Sequence, residues 1–143
     1  MRYLCLDLGD KRTGLATGDD ETGVVAPAGG LAAPPGGDLV AAVLRVIEVH
    51  DPDAIVLGLP LNMDGTEGPR AGQVRDFGRQ LGQRIDRPIH YQDERLTSHA
   101  AEQQLAGSGR THQQKKELRD TLAAAEILRD FLRASGGDAT PDA

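Results

Sequence analysis

Residues 54–59 read Ala-Ile-Val-Leu-Gly-Leu, an unbroken apolar run between Asp51-Pro52 and Pro60. A strand with one wet face alternates apolar and polar side chains, so a run with no polar member belongs to a strand covered on both faces. That single segment demands a sheet with packed layers above and below it. The rest of the chain supplies both. Tyr3–Asp7 reads as a buried first strand, Gly14–Gly18 as a second, and Val24–Leu31 as a third. Pro27 assigns the third to an edge, and the short turns between these strands suggest an antiparallel meander. Pro34-Pro-Gly-Gly breaks the chain, after which Asp38 is placed to cap a helix running to about His50 with Leu39, Val40, Val43, Leu44 and Ile47 on one stripe. Further elements follow: a helix over about Arg70–Arg84, a strand at Ile89–Gln92, a short helix capped by Thr97 or Ser98 and ending near Leu105, and a long helix over about Gln114–Arg133. Strands first, then alternating helix and strand, give an α/β sandwich around a mixed sheet.

The chain has 143 residues, which fits one domain able to bury a core without staples. Residues 135–143 carry little to bury and are expected to be disordered. Cys5 is the single cysteine, so neither an intrachain disulfide nor a cysteine metal cage is available, and its place in an apolar strand marks it as inert core. The first residues turn charged too early for a signal peptide, and no apolar run reaches membrane-spanning length; a cytoplasmic location is expected, with no membrane partner. Two Tyr, two Phe and no Trp exclude an extended aromatic platform for stacking bases. The formal charge of −6 argues against a protein that coats nucleic acid through its overall field. Its distribution softens the objection: residues 107–119 carry Arg110, Lys115, Lys116 and Arg119 against Glu117, a local +3 that leaves −9 for the remainder.

Three acids stand where a fold could deliver them to one spot. Asp7 ends the first strand, Glu94 follows the Ile89–Gln92 strand, and Asp120 opens a stripe with Ala124, Ile127 and Phe131 on the last helix. Carboxylates converging at strand ends are what a divalent-metal site for phosphate chemistry requires. Leu118, Leu122, Ala125 and Leu132 form a second apolar stripe, so the helix reads as buried on both sides; alternatively Asp120 merely favours the helix dipole. Asp93 and Glu94, as neighbours on a strand, should point to opposite faces. The glycine-bracketed turn Asp7–Gly14 holds Lys11 and Arg12, which could meet a phosphate or be solvated hairpin charges. It also looks like the first phosphate loop of sugar kinases and actin-like ATPases, but those need two such domains and this chain has length for one. In Gly58–Arg70, Arg70 could hold a phosphate, while Asn62 and Asp64 are better explained by turn formation. Thr97 reads as a helix cap, and His50, His90, His99 and His112 show no ligand spacing.

Taken together, DLGDKRTGLA (7–16), VLGLPLNMDGTEGPRA (56–71), DERLTSHAA (93–101) and DTLAAAEIL (120–128) closely resemble the YqgF/RuvX family over roughly residues 1–133. The resemblance implies an RNase H-like fold with a five-stranded mixed sheet flanked by helices, filling residues 1–134. It implies a metal-dependent nuclease, associated with maturation of the 5′ end of 16S ribosomal RNA and also named as a Holliday junction resolvase. The family's acids fall on Asp7, Glu94 and Asp120. Asp7 would bridge two Mg²⁺ or Mn²⁺ ions, with Glu94 and Asp120 each holding one side. Arg12, Arg70, Arg95, Arg110, Lys115 and Lys116, with Lys11 in the first turn, are the expected contacts to a nucleic-acid backbone, which position a strand without reading it. Precursor rRNA or branched DNA would be the partner, and a resolvase would need a homodimer. A binding module that kept the fold without turnover is the remaining alternative. Leu8 stands where the family usually has an aromatic residue and Thr13 where it has a larger apolar one; neither replaces an acid.

Overall fold

The computed structural model describes residues 1–32, 37–95 and 112–134, with side chains of the last segment from Leu118 onward. Five strands, β1 (Arg2–Leu8), β2 (Thr13–Asp19), β3 (Val25–Leu31), β4 (Ala54–Leu59) and β5 (Ile89–Asp93), and three helices, α1 (Gly37–His50), α2 (Pro69–Gly82) and α3 (His112–Ala134), make up the described chain. The expected Thr97/Ser98 cap and following short helix, and the tail at 135–143, lie outside it.

The strands form one sheet in the order β3-β2-β1-β4-β5. β1, β2 and β3 are the expected antiparallel meander, and β4 and β5 add in parallel to β1. Pro27 sits on the edge strand, where its missing N–H interrupts no central ladder. All six residues of β4 are buried, as the apolar run requires. Their side chains divide by parity. Ile55, Leu57 and Leu59 join Leu4, Leu6 and Leu8 beneath α1 and α2, whose Leu39, Val43, Ile47, Val74, Phe77 and Leu81 complete that core. Ala54 and Val56 join Tyr3, Cys5 and Ala16 beneath α3.

The α3 side is built from small residues, and this sets how close the helix lies. A Cβ on Gly14 would overlap the backbone carbonyl of Asp120, and one on Gly18 would stand 2.8 Å from Leu128 Cδ2. Thr121 fixes the register: its buried hydroxyl donates to the Leu15 carbonyl at 2.8 Å and accepts from the Gly29 N–H at 3.1 Å. Ala124, Ile127 and Phe131 face the sheet as the stripe beginning at Asp120 predicted. The second stripe is buried only in part: Ala125 is fully buried and Leu132 packs on the same core, while Leu118, Leu122 and Leu132 stay half-buried because one sheet covers the helix from one side.

Two helix boundaries also moved. α1 starts at Gly37, so Asp38 lies inside the first turn and acts on the helix dipole rather than as the cap. α2 ends at Gly82 with backbone N–H groups of Gln83 and Arg84 closing onto Arg79 and Leu81, since Gly82 costs helix stability that two more residues would not recover. Asp51 ends α1 with φ of 47°, a left-handed residue immediately before Pro52.

Candidate active site

β1, β4 and β5 run parallel, so their carboxyl ends lie together at one edge of the sheet. Leu6 pairs with Leu57, and the next residues, Asp7 and Gly58, face α3. On the far side of β4, the Glu94 N–H donates to the Leu59 carbonyl at 3.2 Å, carrying the β5 pairing one residue past the strand. Glu94 therefore also faces α3, with Gly58 between it and Asp7. A Cβ on Gly58 would overlap the Glu94 carboxylate. The missing side chain at the centre of this row is the space in which two acids from non-adjacent strands meet.

The alternation at Asp93-Glu94-Arg95 behaves as the strand geometry requires. Asp93 points away and is held by Arg95, Nη2 to Oδ2 at 2.7 Å, and this pairing keeps its carboxyl below the usual range. Glu94 turns inward and finds the opposite environment. Burial, the adjacent charge of Asp7 and a hydrogen bond with Asp7 push it up to about 8. Asp7 is itself raised by burial and by the charge of Asp120, with the Glu94 hydrogen bond and Arg70 acting against that rise. Burial and the charge of the neighbouring acid thus favour the neutral form of both Asp7 and Glu94. Glu94 Oε2 is buried and has no hydrogen-bond partner among the described residues. Cys5, on the same face one step below Asp7, is fully buried, and burial drives its thiol well above the ordinary value. It is inert, as expected.

Asp120 is half-buried on α3 and lines a cleft of about 320 Å³ with Gly9, Asp10, Lys11, Arg12 and Arg70. It acts on Asp7 through its charge. Among the described residues no three His, Cys, Asp or Glu side chains stand close enough together to hold a metal. The structure therefore brings Asp7 and Glu94 into contact and packs the Asp120 backbone on Gly14, the β2 partner of Asp7. Gly9 N–H donates to the Arg12 carbonyl at 2.8 Å, closing the turn that presents Lys11 and Arg12. Arg70, at the start of α2, donates to the Leu8 carbonyl at 3.4 Å, and its charge favours ionisation of both Asp7 and Glu94. Arg95 stands apart from this group, engaged with Asp93 and the Met63 carbonyl. Arg110 and the side chains of Lys115 and Lys116 lie outside the described residues. His90 is buried against Tyr3 and Phe131, and His50 is exposed.

The parts played by four residues escaped the sequence reading. Gly58 makes room for the carboxyl pair, and a glycine inside an otherwise apolar strand was the available signal. Thr121 and Gly14 set the depth at which Asp120 rides, which no local pattern announces. Asp10 lines the cleft, although the turn in which it lies was singled out.

The strand order, with a mixed five-stranded sheet between helices, is that of an RNase H-like fold. T. thermophilus RuvC, solved in complex with Holliday junction substrate, superposes with a TM-score of 0.63 at 18% identity, over 99% of both chains. The fowlpox virus resolvase, solved with Holliday junction DNA, gives 0.60 at 10% identity over 94% of this chain and 98% of that one. The chain belongs to the RuvX family, described as Holliday junction resolvase, whose profile matches residues 1–134. Relatives from Rhodospirillum centenum (40% identical, 98% of this chain and 78% of the relative) and Ruegeria pomeroyi (41% identical, 89% and 82%) carry the name "Putative pre-16S rRNA nuclease".

Proposed function

We propose that this chain is a divalent-cation-dependent, cytoplasmic nuclease that hydrolyses a phosphodiester during maturation of the 5′ end of precursor 16S rRNA. The Asp7–Glu94 pair across Gly58 is the observation that carries the reading. Two half-buried carboxyls in contact, one with a buried oxygen that has no partner among the described residues, cost stability unless a cation balances them. They are hard oxygen donors of the kind Mg²⁺ or Mn²⁺ takes, and Mg²⁺ keeps open positions for water and substrate phosphate. Asp7 and Glu94 would hold the cation, with Asp120, whose charge already acts on Asp7, as the third acid. A cation there supplies a water of lowered pKa and charge stabilisation at the phosphoryl oxygens.

The remaining steps belong to the chain's own residues. Lys11 and Arg12, presented by the Gly9–Arg12 turn, and Arg70 engage the phosphodiester backbone from one wall of the cleft. The same arginine lessens the repulsion between Asp7 and Glu94 before a cation arrives. A cation held by the pair would favour the ionised form of Glu94 over the neutral form that burial and Asp7 favour. Arg110, Lys115 and Lys116 extend the backbone contacts along the strand. None of these contacts reads sequence; they hold the bond in line with the acids.

The test is cleavage of a 16S precursor RNA and of a four-way DNA junction with Mg²⁺ or Mn²⁺, wild type beside Asp7→Asn. RNA cleavage that disappears in Asp7→Asn supports the proposal. Symmetric paired cuts in the junction, made by a homodimer, would replace it with the resolvase activity that the family description names. Equal activity of the two proteins would remove Asp7 from the mechanism.

A further inference from the structure

The chain has four aromatic residues, and none is available to stack on a nucleobase. Tyr3, Phe77 and Phe131 are buried, and Tyr91 is half-buried with the Arg75 guanidinium 4.6 Å above its ring. A nuclease that orients one phosphodiester nevertheless benefits from gripping the flanking base, whose face is apolar. Four large hydrophobic residues are exposed among the described residues: Met1, Val24, Val49 and Met63. Met1 precedes β1, Val24 lies in the β2–β3 turn and Val49 ends α1, all at the sheet edge opposite the acids. Met63 is the exception. It follows β4 at the edge that carries Asp7 and Glu94, and it is 77% exposed.

Met63 is also held out deliberately. Its loop is closed by the Leu61–Glu67 bridge and by Asn62 N–H to the Thr66 carbonyl at 2.8 Å. Asp64 accepts from both the N–H and the hydroxyl of Thr66, at 3.0 and 2.6 Å, and Gly65 takes the left-handed φ of 88° that the turn needs. Arg95 holds the tip against the end of β5: its Nη1 donates to the Met63 carbonyl at 3.2 Å while its other nitrogens grip Asp93. The residue between Asp93 and Arg95 is Glu94. The backbone at Met63 is thus tied, through one guanidinium, to Asp93, the chain neighbour of Glu94. An unbranched thioether suits this task, because sulfur is polarisable, favours aromatic rings and adapts to any of the four bases.

We infer that Met63 is a nucleobase wedge, packing against the base that flanks the phosphodiester presented to Asp7 and Glu94. The inference rests on the nuclease reading but concerns binding, so it is testable without turnover. Single strands of RNA and of DNA carrying 2-aminopurine at successive positions are titrated with the full chain in the presence of a chelator. Wild type and Met63→Leu are expected to change the fluorescence of one or two adjacent positions. Met63→Ser should leave that signal flat and weaken binding roughly two- to tenfold, the range of a sulfur–aromatic contact. All three should melt together, since Met63 covers no core. A Met63→Ser protein with the wild-type signal and affinity would overturn the wedge while leaving the nuclease intact. Absence of cleavage in the presence of cations would instead sink the nuclease reading and leave the binding result standing. A dimer that falls to monomer on Met63→Ser would also overturn it, by assigning the residue to a self-interface.

Discussion

Gly58→Ala is the most incisive perturbation of this site, because it adds one methyl group at the point where two strands and a helix converge. The new Cβ would overlap the Glu94 carboxylate and lie 2.8 Å from Ile127 Cδ1. β4 is the fourth strand of five with neighbours on both sides, so its backbone cannot withdraw. The neighbours must give instead. Ile127 can turn only its terminal Cδ1, in a packed core under a helix that the Thr121 hydrogen bonds hold at fixed depth. Glu94 gives first, swinging away from Asp7. Overpacking of this kind costs about 1–3 kcal/mol. Replacing glycine returns roughly 0.4–1 kcal/mol through the unfolded chain, as Gly58 is not in the left-handed region. The net expectation is a loss of about 1–2 kcal/mol by urea denaturation. Cleavage should fall far more than this suggests, by roughly 10²-fold, because misplacing a reacting group by an ångström has that effect. A Gly58→Ala protein with wild-type activity would refute the claim that this gap seats the carboxyl pair. Ile127→Val in the same background should recover stability without recovering activity.

Three other outcomes follow from the same geometry. The folded chain holds the Glu94 proton to about pH 8 against an ordinary 4.5, so between those values the unfolded chain binds fewer protons. Stability of the chelated protein should therefore fall as pH rises through that window, by at most roughly 5 kcal/mol, and Glu94→Gln should abolish most of the fall; parallel denaturation curves at about pH 5 and about pH 8 with no difference between the two proteins would contradict it. Thr121→Val removes a buried hydroxyl with two backbone partners and should cost about 1–3 kcal/mol in thermal or chemical melts, with Thr121→Ser recovering most of it. Thr13 is the converse case: its hydroxyl is buried with no hydrogen-bond partner among the described residues, so Thr13→Val should leave stability unchanged or raise it in the same melts.

The linear pattern of residues was enough to specify the architecture. An apolar hexapeptide at 54–59 required cover on both faces, Pro27 marked an edge, and the stripe from Asp120 to Phe131 identified the sheet-facing side of α3. These are local statements, decided by side-chain period and by the missing N–H of proline, and they survive folding because each element obeys them alone. The same holds for the opposed fates of Asp93 and Glu94, which strand alternation dictates. Tertiary structure decided everything that depends on distance between elements. That Asp7 and Glu94 touch follows from a glycine on the strand between them. How deep Asp120 rides follows from Gly14 and a hydroxyl on Thr121 reaching β2 and β3. That only one stripe of α3 is fully buried follows from the position of the single sheet. The raised pKa values of Asp7 and Glu94 belong to neither residue's sequence context: they arise when burial removes water from two acids that lie 87 positions apart in the chain.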